Sequence, residues 1–253
     1  MVHFVGAGPG APDLITMQGV RLLRQADTVI YAGSLVNPAL LSYCKDGCTV
    51  FNSAELTLEQ VIKIYLQEEE QHHMTVRLHT GDPSVYGAIQ EQMDALRANG
   101  IPFRVTPGVS SFCAAAAALE TEYTLPGVSQ TVILTRLTGK TPVPERESLS
   151  ALAAHGASMV IFLSAGMMES LQDALLKGAY TADTPAAIVY KASWPEEKLL
   201  RCSVGKLSEL AHLHGIRNTA LVLAGDFLSS PYERSCLYNP SFTTQYRKGV
   251  STE

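Results

Sequence analysis

No run of apolar residues in this 253-residue chain reaches the ~18 that a membrane-spanning helix needs. The N-terminus enters a strand and a glycine loop with no basic or apolar leader, so a cytoplasmic protein with no membrane partner is expected. Positive charge is short as well. Nineteen Lys and Arg stand against 24 Asp and Glu, a formal net charge of −5, which argues against a phosphate-neutralising surface and hence a nucleic-acid partner. Cysteine is scarce and odd in number: Cys44, Cys48, Cys113, Cys202 and Cys236. Only Cys44 and Cys48 are close, and with no second pair or neighbouring His they make a poor zinc site, so free thiols and no bound metal are expected. There is no Walker loop, no Gly-x-Ser-x-Gly elbow, and no Cys/His arrangement suited to covalent catalysis. An apolar share of 46% against 17% charged residues leaves a packed globular chain of roughly two domains.

What the chain does have is glycine and proline at strand ends. Gly6-Ala7-Gly8-Pro9-Gly10-Ala11-Pro12 follows the apolar run Val2–Val5. Its glycines can take positive φ and let a ligand approach the main chain. The spacing fits a dinucleotide fingerprint on paper. Pro9 and Pro12, however, remove N–H donors that a pyrophosphate would need and push the preceding residues away from helix, so an extended loop is expected. The ribose-binding carboxylate is also missing, because the next strand, Thr28–Ala32, ends in Tyr31, Ala32 and Gly33.

Strand and helix signals alternate throughout. Strands are expected at Val2–Gly6, Thr28–Ala32, Cys48–Phe51, Met74–His79 and Phe103–Thr106. Thr57 and Gln60 form a capping box for one helix, and an Ala-rich helix is expected over Phe112–Leu119. This predicts an α/β domain with a mostly parallel sheet in which Met74–His79 is central. A second alternation follows, with strands at Thr131–Arg136, Met159–Ser164, Ala186–Lys191, Leu199–Val204 and Ala220–Phe227. The expected division is residues 1–120 and 121–253. Ligands in such sheets gather at the carboxyl ends of strands. Three loops therefore attract attention: Gly6–Pro12, Thr80–Gly87 and Thr106–Ser111. Within them Asp82 is either a turn residue bonded to backbone N–H groups or a ligand contact. Ser110 and Ser111 are either helix caps or ligand contacts, and Tyr86 is read as pocket wall.

Taken in order, these segments resemble the class III S-adenosylmethionine-dependent methyltransferases of tetrapyrrole (corrin) biosynthesis. The broad marks are Val5–Gly10 with Asp13–Thr16, Thr80–Gly87 and Thr106–Ser111. Narrower ones are Tyr31–Val36, Glu122–Pro126, Gly139–Pro144, Tyr190–Pro195 and Tyr246–Lys248, and they point to members acting at C11 of precorrin-4 or cobalt-precorrin-4. The resemblance implies two α/β domains, the second with a mixed sheet, a cofactor cleft between them, and a homodimer. It implies S-adenosylmethionine contacts at Pro9, Gly81, Asp82, Val85, Ser110, Ser111, Leu163, Ala192, Thr219 and Ala220. Asp82 is the candidate for orienting substrate or accepting a proton, and Tyr86, Arg136 and Lys191 are candidates for the tetrapyrrole. Alternatives are a class III enzyme acting at another ring position or on uroporphyrinogen, and a non-catalytic S-adenosylmethionine-binding module.

Overall fold

A computed structural model describes residues 1–229 and 231–250. The chain divides into two compact units, one of Met1–Ala115 with Lys191–Glu197, the other of Ala116–Tyr190 with Lys198–Glu253. The expected single division at residues 120/121 leaves no place for the short segment Lys191–Glu197, which returns to the first unit.

The first unit holds five parallel strands: β1 (Val2–Gly6), β2 (Thr28–Tyr31), β3 (Thr49–Asn52), β4 (Thr75–His79) and β5 (Phe103–Thr106), in the order β3-β2-β4-β1-β5. All five residues of β4 are buried, as befits a central strand covered on both faces. One face packs Val5, Val29, Val76 and Leu78 against Leu23 and Leu40. The other packs Val2, Phe4 and Ile30 against Val61, Tyr65 and Leu96. The prolines after β1 act as expected: Ala11 is extended, and only one 3-10 turn, Pro12–Leu14, precedes the first helix. That helix, α1 (Met17–Gln25), was not anticipated. Its Thr16 cap accepts from the Gly19 N–H. Thr57 and Gln60 close the predicted capping box of α2 (Leu58–Glu70), and α3 (Gln90–Ala98) and the Ala-rich α4 (Ser111–Ala118) follow.

The second unit has a mixed sheet of β6 (Val132–Arg136), β7 (Ser158–Phe162), β8 (Pro185–Tyr190), β9 (Lys198–Ser203) and β10 (Ala220–Ala224), ordered β6-β7-β10-β8-β9. Only β6 and β7 run parallel; β10 is antiparallel to β7 and β8, and β8 to β9. Helices α5 (Leu149–Ala153), α6 (Met168–Leu176) and α7 (Leu207–Leu213) contribute Leu149, Leu171, Leu175 and Leu207 to a core with Met159, Ile161, Ile188 and Val222. The expected strand over Ala220–Phe227 stops at Ala224, because Gly225 turns at φ +137 and a 3-10 turn over Asp226–Leu228 follows. No helix among the described residues is long and apolar enough to cross a membrane.

Candidate functional site

In the first sheet β1 lies between β4 and β5, so the three glycine loops leave adjacent strand ends and meet. The contact is backbone to backbone. Gly8 N–H donates to the Gly81 carbonyl at 3.3 Å, Gly81 N–H to the Gly8 carbonyl at 2.8 Å, and Ala7 N–H to the His79 carbonyl at 2.7 Å. A Cβ on Gly6 would lie 2.5 Å from Gly108 Cα and 2.7 Å from the Gly81 carbonyl, and one on Gly108 would clash with the same carbonyl. Gly81 is needed for another reason, its φ of +59. The glycines thus let three main chains meet where any side chain would part them.

Asp82 joins two of these loops. One carboxylate oxygen accepts the Ser84 N–H at 2.8 Å and its hydroxyl at 2.5 Å, and the other accepts the Gly108 N–H at 2.9 Å. Partial burial alone would raise the Asp82 pKa, but the bonds from Ser84 and Gly108 outweigh it and hold the carboxyl below its ordinary value. These bonds suit an orienting carboxylate better than a proton acceptor. Beyond it, Pro83 and Val85 lead to Tyr86 and Ala88, both left-handed at φ +56 and +48, around a Gly87 whose Cβ would strike the Pro83 carbonyl. Tyr86 is exposed. Ser110 is buried at the amino end of α4, and its carbonyl accepts the Cys113 and Ala114 N–H groups. Ser111 begins the helix.

The Pro9 loop is held from behind by the returning segment, a support the sequence reading did not identify. Trp194 Nε1 donates to the Pro9 carbonyl at 3.0 Å, Ser193 Oγ accepts the Ala11 N–H at 3.0 Å, and Asn37 Nδ2 donates to the Gly10 carbonyl at 2.8 Å. Ala192 is buried in the same segment. Lys191 Nζ lies 3.2 Å from a Glu196 oxygen and 5.5 Å from the Trp194 ring centroid. The available signal was that Trp194 is the chain's only tryptophan and sits beside Pro195.

The second unit gathers its own candidates along one sheet edge. Arg136 pairs with Phe162, Val222 with Ile161, Ala220 with Tyr190, and Tyr190 with Lys198. Leu163 and Thr219 therefore fall on that edge, with φ of +52 and +49, and Leu163 is 65% exposed. Left-handed non-glycine residues concentrate where strain serves a site. Arg136 is engaged locally: its guanidinium donates to the carbonyls of Leu137, Thr141 and Pro142 at 3.3, 3.1 and 2.8 Å, tying down its own Pro/Gly loop. Among the described residues no group of three or more metal-ligating side chains occurs, and the five cysteines are free thiols.

Residues 1–208 match the tetrapyrrole (corrin/porphyrin) methylases. A cobalt-precorrin-4 C(11)-methyltransferase from Methanocaldococcus jannaschii is 48% identical over 98% of this chain and 96% of its own length. The X-ray structure of a cobalt precorrin-4 methyltransferase of cobalamin biosynthesis superposes with a TM-score of 0.88 at 45% identity, covering 90% of this chain and 95% of that one. A uroporphyrin-III C-methyltransferase from Thermus thermophilus, solved with S-adenosyl homocysteine, reaches a TM-score of 0.74 at 26% identity over 90% and 93% of the two chains. The chain belongs to the tetrapyrrole (corrin/porphyrin) methylase family and is a methyltransferase.

Proposed function

We propose that this protein transfers a methyl group from S-adenosylmethionine to C11 of precorrin-4 or its cobalt complex, giving the corresponding precorrin-5 in corrin-ring biosynthesis. The observation that carries this is full-length similarity to an enzyme of that name, at 48% identity, in a chain that also builds the three glycine loops of the first unit.

The residues present suit the co-substrate. The close meeting of main chains at Gly6, Gly81 and Gly108, the hydroxyls at Ser110 and Ser111, and one fixed carboxylate at Asp82 make a polar, backbone-lined floor that suits a ligand of amino-acid, ribose and base parts. When bound, S-adenosylmethionine supplies an electrophilic methyl on a sulfonium. The chain's own task is positioning, which can account for much of the barrier reduction in a transfer between two held reactants. Pro9, Gly81, Val85, Ser110, Ser111 and Ala192 are assigned to cofactor contact. Asp82 is assigned to orientation, since its carboxylate sets the spacing of two of the loops. Leu163, Thr219 and Ala220 are assigned to cofactor contact on the resemblance and on their place at one sheet edge. Tyr86 and Lys191 are assigned to the tetrapyrrole, and Arg136 acts there through the loop it closes.

The deciding experiment is incubation with S-adenosylmethionine and either metal-free or cobalt-loaded precorrin-4, with the methyl position read by NMR. Transfer at C11 is expected with at least one of them. Transfer at another carbon would assign the chain to a different member of the family, and tight cofactor binding without transfer to any tetrapyrrole would make it a binding module. On the resemblance we also infer a homodimer, which sedimentation equilibrium would test, and the formal net charge of −5 speaks against a nucleic-acid partner.

A further inference from the structure

Beneath the sheet of the first unit lies a buried polar cluster with no place among the residues assigned to cofactor or tetrapyrrole. Arg77 on β4, Gln92 on α3 and Tyr65 on α2 are 7, 5 and 0% exposed. Among the described residues Arg77 makes no ion pair, although burying an unpaired guanidinium is costly. Its Nε donates to Gln92 Oε1 at 3.3 Å and its Nη1 to the Ile30 carbonyl at 3.2 Å. Tyr65 donates its hydroxyl to the same Gln92 oxygen at 2.8 Å.

Arginine has donors and no acceptor, so it admits only one orientation of the Gln92 amide, oxygen toward the guanidinium. The amide nitrogen then has to point the other way. It donates to the Ala88 carbonyl at 3.1 Å. Ala88 ends the stretch in which Tyr86 and Ala88 take left-handed φ around the crowded Gly87, and such a turn persists only where its surroundings over-determine it.

We propose that Arg77 and Gln92 are positioning residues for the methyl transfer: a buried amide, oriented by a cation with no carboxylate partner, holds the Asp82–Ala88 loop in its ligand-ready form. The proposal rests on the assignment of that loop to cofactor and tetrapyrrole. A role in folding alone would need Arg77 only to be satisfied. The relay requires in addition that the free end of the amide be a donor.

Gln92→Glu separates these two roles. The carboxylate still accepts from Tyr65 and Arg77, and gains an ion pair, but offers the Ala88 carbonyl no hydrogen. The expected result is a folded enzyme by circular dichroism, faster amide hydrogen exchange over residues 84–89, and a loss of about tenfold in kcat/KM or in S-adenosylhomocysteine affinity. Gln90→Ala, on the exposed face of the same helix, should match wild type in all three. If Gln92→Glu does not fold, Arg77→Lys carries the test: it keeps the charge, gives up the planar donor set, and should shift exchange and affinity in the same direction. Wild-type exchange and kinetics in a folded variant would overturn the proposal. Exchange and S-adenosylhomocysteine affinity do not depend on the tetrapyrrole, so a wild-type enzyme that fails to methylate C11 would remove the assigned reaction without deciding this point.

Discussion

The indole of Trp194 packs on Gly10 so closely that a Cβ there would strike its Cδ1 and Nε1, while the same Nε1 donates to the Pro9 carbonyl at 3.0 Å. The ring therefore both covers the loop and fixes its path. Gly10→Ala has to displace the ring or the loop, and overpacking of this kind costs about 1–3 kcal/mol. Trp194→Phe keeps most of the ring but removes the donor, at about 1 kcal/mol. Thermal melts should rank the two variants in that order, and both should bind S-adenosylhomocysteine more weakly. Because Trp194 is the only tryptophan, its emission should shift as the ligand binds. A titration with no change in emission, and a Gly10→Ala variant of unaltered affinity, would reduce this contact to packing.

Asp82→Asn probes the junction of two loops. The carboxylate accepts on both oxygens, from Ser84 and from Gly108, so an amide in either orientation sets an N–H against a donor. The expected cost is about 1–3 kcal/mol of stability, with weaker cofactor binding. The pH dependence follows from the depressed pKa. Asp82 contributes its full stabilisation above the ordinary carboxylate value of 3.8 and loses it as pH falls through the lower folded value. Around neutral pH it stays ionised, so the wild-type pH–rate profile should show no limb that the Asn variant removes. Such a limb, between about pH 5 and 8, would restore Asp82 as a proton acceptor.

Gly108→Ala asks whether the meeting of main chains is obligatory. The new methyl would clash with the Gly81 carbonyl and crowd Gly6 Cα at 2.7 Å, all backbone atoms with little room to give. A loss of several kcal/mol or an insoluble product is expected, beyond the ~1–3 kcal/mol of ordinary overpacking. Gly100→Ala is the comparison: nothing lies within 4 Å of its Cβ, and only its φ of +68 opposes the change. A Gly108→Ala variant as stable as Gly100→Ala would show that the loops can separate without penalty.

The parallel half of the fold was legible because its strands are short apolar runs bounded by glycine and proline, and the central place of β4 followed from its unbroken β-forming residues. The helix after the first loop was missed because Pro9 and Pro12 break the pattern just before Thr16 restarts it as a cap. The three loops could be found from local composition. Their supports could not, since Trp194 lies 185 residues from Pro9, and Gln92 does not stand out in a helix that also carries Gln90, Glu91 and Asp94. Arg136 shows the same limit at short range: nothing in its strand-end position announces that three of its donors go to carbonyls up to six residues away.

His79 supplies a pH test of the first unit that does not depend on any ligand. It is 4% exposed, its Nε2 has no hydrogen-bond partner among the described residues, and burial first, then the Arg77 charge, push its pKa down to about 3. The unfolded chain takes up a proton near 6.5 and the folded protein does not, so stability from the neutral ring is complete above 6.5 and is lost as pH falls toward 3. Within that window one proton of difference gives a slope of about 1.4 kcal/mol per pH unit. His3, whose pKa is also lowered, mainly by burial, adds a slope of the same sign in every variant. Urea unfolding of wild type and His79→Met at several pH values from about 4 to 7 isolates the His79 part. Between about pH 4 and 5.5 the wild-type slope should exceed that of His79→Met by close to one proton, and the excess should fade toward pH 7 as the unfolded chain's histidine loses its proton. Equal slopes would mean that the folded protein accommodates a charged imidazole beside Arg77, and would deny His79 its part in the acid sensitivity of the sheet.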